Sequence, residues 1–235
     1  MKVSGGMQST CPIIILHGIG APGRPLEPGE DIFWLSREKF CTILDRIVEM
    51  GAAAPRITFD DGNASDIDIA LPELLARGLN ATFFLLTSRL GQPGSLTRAD
   101  VTALAGAGQT IGLHGANHVD WRRLDGAGRA REYEAARDML RDLSGQPVDE
   151  AAAPFGLYDR QVVVDLQGLG FRALHTSDRG QIRSGAFIRP RNCLEGPMEG
   201  AALDDALRGK VRPLRAVRRA FGVARKSYLP LRLRA

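Results

Sequence analysis

Two short clusters in this sequence combine residue types able to do polar chemistry. Asp60-Asp61-Gly62 sets two carboxylates side by side at the end of the short apolar run Arg56-Ile57-Thr58-Phe59. Successive strand residues face opposite sides, yet a turn opened at Gly62 brings both carboxylates to one rim, where they repel unless a cation intervenes. A divalent metal is the simplest such cation, and a solvated Asp-Asp-Gly turn is the plain alternative. His114 and His118 supply two imidazoles after another apolar run, Thr110-Ile111-Gly112-Leu113. Four residues of extended strand span about 13 Å, too far for one ion, whereas one helical turn brings the two Cβ atoms to roughly 6 Å. The strand must therefore end at His114. Two His and one Asp make an open site with positions left for water.

The elements that carry these groups follow an α/β pattern. Short apolar runs are expected as strands at Ile13 to Leu16, Arg56 to Phe59, Ala81 to Leu86, Thr110 to Leu113, Glu150 to Ala153 and Phe171 to Thr176. Helices are expected at Ser36 to Met50, near Ile67 to Arg77, at Thr97 to Ala107, Arg129 to Leu143 and Asp159 to Leu166. In the first of these, Ser36 caps, Phe40, Ile43, Leu44, Ile47 and Val48 form one stripe, and Gly51 terminates. Repeated strand-helix units make a barrel or an open doubly wound sheet, and both place active sites at the strands' C-terminal ends. His17, the Asp60-Asp61 pair, His114 and Pro154-Phe155-Gly156 all stand at such ends, the convergence that a site requires.

At 235 residues, 44% of them hydrophobic, the chain suits one domain able to bury its own core. Its longest early apolar run, Pro12 to Leu16, is too short for a signal-peptide core or a spanning helix, so a cytoplasmic protein is expected. Cys11, Cys41 and Cys193 are odd in number and widely spaced, which fits buried free thiols. The net charge of +4 is uneven: Leu207 to Ala235 carries ten Lys or Arg and no acid, leaving −6 for the rest. The chain accordingly divides into a body at 1–206 and a basic tail at 207–235.

The motif Thr58-Phe59-Asp60-Asp61-Gly62 resembles the first signature of the polysaccharide deacetylases, carbohydrate esterase family 4. His114 to His118 resembles the second, with Gly115 where the family has a hydroxyl residue, and Pro154-Phe155-Gly156 the third, with Ala152 where the family has an arginine. The resemblance covers about Pro12 to Leu194 and implies a single-domain, distorted (β/α)7-type barrel of parallel strands. It further implies that Asp61, His114 and His118 bind a metal, usually Zn2+ with Co2+ as a substitute, that Asp60 is the general base, and that the Phe155 N–H helps hold the oxyanion. Arg189 or Arg191 is expected to replace the missing arginine in orienting Asp60. His17, followed by a Phe-Trp-Leu-Ser helix start, resembles the exopolysaccharide N-deacetylase branch and is expected as the general acid, while His175 is expected to be structural. Pro154, Gly156, Asp178 and Arg191 are expected around the substrate.

The implied activity is hydrolysis of N-acetyl groups on N-acetylhexosamine units of a polysaccharide or lipid-linked glycan. Two alternatives stand beside it, a non-catalytic glycan-binding relative and a metal hydrolase of a small acyl amide or O-acetyl ester. The tail alternates arginines with Val211, Leu214, Val217 and Phe221, as in a basic amphipathic helix. Such a helix suits peripheral contact with an anionic membrane at the inner face, or packing on the barrel through arginine stems. Little aromatic interleaving is present for base stacking, so no nucleic acid is expected.

Overall fold

The computed structural model describes residues 10–211. Nine strands form one nearly closed, barrel-shaped sheet, mostly parallel, in a single α/β domain. The order along the chain is β1 (Thr10–Leu16), α1 (Arg37–Met50), β2 (Arg56–Asp61), α2 (Leu71–Ala76), β3 (Ala81–Leu85), α3 (Arg98–Gly106), β4 (Thr110–Leu113), α4 (Gly126–Arg129), α5 (Ala136–Ser144), β5 (Glu150–Ala152), α6 (Arg160–Gly168), β6 (Ala173–Thr176), β7 (Gln181–Arg183), β8 (Ile188–Pro190), β9 (Asn192–Cys193) and α7 (Gly200–Leu207). Strands β1 to β6 are neighbours in chain order and parallel. The segment that follows closes the barrel: β8 pairs with β6 and β9 with β1, so that Arg191 stands between two pairings on opposite sides of the seam. Among the described strands only β7 runs antiparallel, along the N-terminal part of β1.

The helix signals work as local chemistry predicts. Ser36 accepts from the Lys39 N–H at the start of α1, and Gly51 caps its end at φ 53°. Thr97 and Asp100 form a reciprocal capping box on α3. The expected helix from Arg129 to Leu143 is α4 and α5 joined by a π-helical stretch at Ala130–Ala135. Phe40, Ile43, Leu44 and Ile47 of α1 are buried as the stripe requires, while Val48 is 48% exposed.

Alternation along the strands divides the interior. Ile57 and Phe59 of β2 join the apolar layer beneath the helices, where the Phe59 and Phe83 rings stack with centres 4.8 Å apart. Burying each such side chain contributes about 1.5–3 kcal/mol. Thr58 and Asp60 face the barrel axis instead, where Arg191 reaches both. Gly112 is needed at its place in β4, because a Cβ there would lie 2.5 Å from the Phe84 ring. That ring supports both Arg191 and His175 in the axis.

One expectation needs adjustment. Cys11, Cys41 and Cys193 are free thiols as expected but half-buried. Leu207 is buried in the core as the last residue of α7. The tail helix expected beyond Val211 lies outside the described residues.

Candidate metal and catalytic site

The site forms where β2 and β4 end. The backbone turns left-handed at Asp61 (φ 80°) and Gly62 (φ 77°), which ends the strand alternation and frees the second carboxylate from the direction of Phe59. His114 is the first residue after β4, and the loop to His118 (φ 51°) returns the second imidazole to the same place. One ligand atom from each of Asp61, His114 and His118 lies within 4.8 Å of the other two. The Nε2 atoms of His114 and His118 are 3.5 and 3.7 Å from Asp61 Oδ1.

The donor set fits a divalent transition metal. Asp61 Oδ1 is buried without a hydrogen-bond partner, a costly arrangement unless an ion takes the place. His114 Nδ1 lies 2.9 Å from the Ala152 carbonyl, so it must carry the proton and donate, leaving the Nε2 lone pair facing Asp61. Burial lowers the His114 pKa against the raising influence of Asp60 and Asp61, which favours the neutral, ligating form. Burial alone would raise the Asp61 carboxyl, but His114, His17, His118 and Arg89 outweigh it and keep the group ionised. Glu27 and Arg89, neither anticipated from sequence, extend the cluster. Arg89 bridges from Glu27 at 2.7 Å toward Asp61 at 4.0 Å, and Glu27 lies 3.5 Å from His118 Nδ1.

Asp60 has a separate partner. Arg191 donates to its two carboxylate oxygens at 2.6 and 2.7 Å and to Thr58 Oγ1 at 3.0 Å, and Arg191 is 1% exposed. Burial would raise the Asp60 carboxyl, but Arg191, aided by His114 and His17, holds it well below the ordinary range. Of the two arginines expected to compensate for Ala152, Arg191 reaches Asp60. Arg189 instead donates to Glu150 at 2.6 Å. The two adjacent carboxylates are thus held differently: the Arg191 guanidinium meets the charge of Asp60, whereas Asp61 Oδ1 has no hydrogen-bond partner and faces the two imidazoles, the place a cation would take.

A cleft of about 440 Å³ opens over these residues. His17, Asp60, Asp61, His114, His118, Phe155, Gly156 and Arg191 line it together with the loop after β1, including Glu27, Glu30 and Phe33. His17 stacks on Phe33 at 5.0 Å between ring centres, with Nδ1 4.0 Å from Cys193 Sγ. Phe155 is 54% exposed at φ 56°, its ring centre 4.2 Å from that of His118. Pro154 and Asp178, expected around the substrate, are not among the lining residues. Pro154 is buried behind the turn, and Asp178 accepts from Tyr158 and Thr176 behind the wall formed by Ser177 and Arg179. Asp66, also passed over in the sequence, is fully buried, and burial with the charges of Asp61 and Asp60 pushes its carboxyl well above the usual range. A smaller hollow of about 260 Å³ between α1 and α7, lined by residues such as Arg46 and Asp204, gathers no comparable ligand set.

Residues 50–174, more than half of the chain, match the model of the polysaccharide deacetylase family. The chain belongs to this family. YheN of Bacillus subtilis strain 168, a protein named for the same family, is 32% identical over 111 residues, which are 46% of this chain and 37% of YheN. The chain spans less than half the length of the curated relatives it matches. Among solved structures, the Streptococcus pyogenes deacetylase PplD in complex with acetate superposes with a TM-score of 0.74 at 18% identity, covering 86% of this chain and 99% of PplD. A de-N-acetylase from Aggregatibacter actinomycetemcomitans gives 0.70 at 13% identity, covering 85% and 100%. At those identities the likeness concerns the fold, and it agrees with the deacetylase barrel seen here.

Proposed function

We propose that this chain is a metal-dependent hydrolase that removes N-acetyl groups from N-acetylhexosamine units of a polysaccharide or lipid-linked glycan. The observation that carries the reading is the meeting, in one cleft, of an Asp-His-His ligand set with a separate carboxylate, Asp60, fixed by a bidentate arginine. Asp61, His114 and His118 would hold the metal, Zn2+ or Co2+. When bound, such an ion polarises the acetyl carbonyl and lowers the pKa of water.

The rest of the chemistry falls to the chain. Asp60, ionised and oriented by Arg191, takes a proton from the attacking water. The oxygen of that water adds to the acetyl carbon, and the Phe155 N–H donates to the carbonyl oxygen as negative charge gathers there. The N–H groups of Gly156 and Leu157 are engaged by Ala153 and Pro154, which fixes the turn that presents Phe155. His17, across the cleft, gives a proton to the sugar nitrogen as the C–N bond breaks, so acetate and a free amine leave. Retention of Asp60 with a rebuilt partner in Arg191 favours a catalyst over a glycan-binding relative. Gly156 and Arg191 line the floor that would meet the acetyl group.

Contact of the basic tail with an anionic membrane on the cytoplasmic side is part of the same proposal, supported by the tail's ten cations. No helix among the described residues is long and apolar enough to cross a membrane. The test of the central reading is acetate release from N-acetylglucosamine oligomers, with zinc or cobalt restored after chelation, beside Asp60→Asn and His114→Ala. Metal-dependent release lost in both variants supports the proposal. Release that survives chelation, or persists in both variants, rejects it.

A further inference from the structure

We infer that Glu132 is a positioning residue for the metal site, holding the His114–His118 loop in ligating shape; the inference rests on the metal-binding reading above. Glu132 is 1% exposed, yet no catalytic group touches it. Its Oε2 accepts from the backbone N–H groups of Ala116 at 2.7 Å and Asn117 at 3.1 Å, and its Oε1 accepts from the Asn117 side-chain amide at 2.7 Å. On the opposite side of the loop, the carbonyls of Gly115 and Ala116 accept from the N–H groups of Thr87 and Ser88. The loop between the two histidines is therefore held from both sides, Ala116 by both its N–H and its carbonyl, and it leads directly into His118, whose backbone is left-handed.

Two further features show that the loop and the glutamate are built for one another. A Cβ added to Gly115, itself at φ 95°, would lie 2.7 Å from Glu132 Oε2, so the carboxylate fills the space that any other residue at 115 would claim. Glu132 also lies in the π-helical stretch Ala130–Ala135, where both it and the adjacent Tyr133 are buried. Single π turns inside helices are rare and are found frequently at functional sites. Buried carboxylates satisfied by backbone N–H groups order loops strongly, and groups that orient metal ligands typically govern affinity 10- to 100-fold.

The experiment compares zinc affinity, by chelator competition at a temperature where the apo protein is folded, in wild type, Glu132→Ala and Glu132→Gln, together with the rise in Tm caused by zinc. Glu132→Ala is expected to weaken zinc about 10- to 100-fold and to shrink the zinc-induced rise in Tm, and Glu132→Gln, which keeps one acceptor, to fall between it and wild type. A purely structural role would lower the Tm of apo and zinc-loaded protein alike and leave affinity unchanged, which overturns the inference. If Glu132→Ala does not fold, Glu132→Gln decides alone: weakening by about threefold or more supports the role, and wild-type affinity rejects it. Wild type that binds no zinc sinks the metal-binding reading and this inference with it.

Discussion

The barrel holds two buried clusters of carboxylate, imidazole and guanidinium that look alike in composition and differ in completeness. In the lower one, the Glu150 carboxylate is engaged on both oxygens, by His175 Nε2 at 2.9 Å and Arg189 at 2.6 Å. In the upper one, Arg191 satisfies Asp60, but Asp61 Oδ1 stays unpartnered with two imidazole nitrogens 3.5–3.7 Å away. The lower cluster satisfies both oxygens of its carboxylate, leaving only His175 Nδ1 without a partner, and its removal should cost stability. The upper cluster resembles a ligand set, whose removal should cost binding and chemistry.

The largest break in this comparison should come at Asp61 and His114. Asp61→Ala and His114→Ala are expected to abolish stoichiometric zinc binding and to reduce acetate release by about a thousandfold or more, measured with metal in excess. Near-normal binding in either variant would place the metal elsewhere. A smaller but still large effect is expected at the base. Asp60→Asn should cut acetate release by about a hundred- to ten-thousandfold while keeping the metal. Arg191→Lys, which loses the bidentate grip, should lower kcat with little change in zinc affinity.

Glu150→Ala sharpens the contrast from the other side. It leaves Arg189 and His175 without their partner, with an expected loss of about 3–5 kcal/mol in urea unfolding and unchanged zinc affinity of the folded protein. The smallest effect is on pH dependence. Burial pushes His175 down to about 4, so the stability that comes from keeping it neutral is complete above its ordinary value of 6.5 and is lost as pH falls through about 4. Glu150, which burial would raise but which His175 and Arg189 hold down to about 2, keeps its contribution above its ordinary value of 4.5 and loses it only as pH falls toward 2. The urea midpoint should therefore decline between pH 6.5 and 4, and His175→Gln should flatten that decline. An equally steep decline in the variant would assign the acid sensitivity to other groups.

Much of this arrangement is written locally. The end of β4 follows from an apolar run stopped by His114-Gly115, whereas β2 continues through Asp60 and Asp61 to the turn at Gly62, two residues past its apolar run; the metal set follows from the fact that two histidines four apart share an ion only after the strand has ended. Helix caps at Ser36 and Thr97 are likewise short-range chemistry. What the sequence does not disclose depends on register. Arg189 and Arg191 sit two apart on one face of the closing segment, and only the pairing of β8 with β6 and of β9 with β1 decides that the second meets Asp60. Glu132 lies within a region that reads as an ordinary amphipathic helix, since a π turn leaves no pattern in residue types. Asp178 is expected at the pocket because Thr176 to Gly180 resembles the exopolysaccharide N-deacetylase branch, yet in the bend after β6 its carboxylate accepts from Tyr158 and Thr176 instead. Glu27 and Arg89 come from loops, where no periodicity signals position.

The most direct test of the central claim, that adjacent carboxylates have separate duties, is zinc stoichiometry and affinity by calorimetry on wild type, Asp60→Asn and Asp61→Asn. One ion per chain in wild type and Asp60→Asn at affinities within about tenfold, with binding lost in Asp61→Asn, is the predicted result. Binding lost in Asp60→Asn and retained in Asp61→Asn would contradict it.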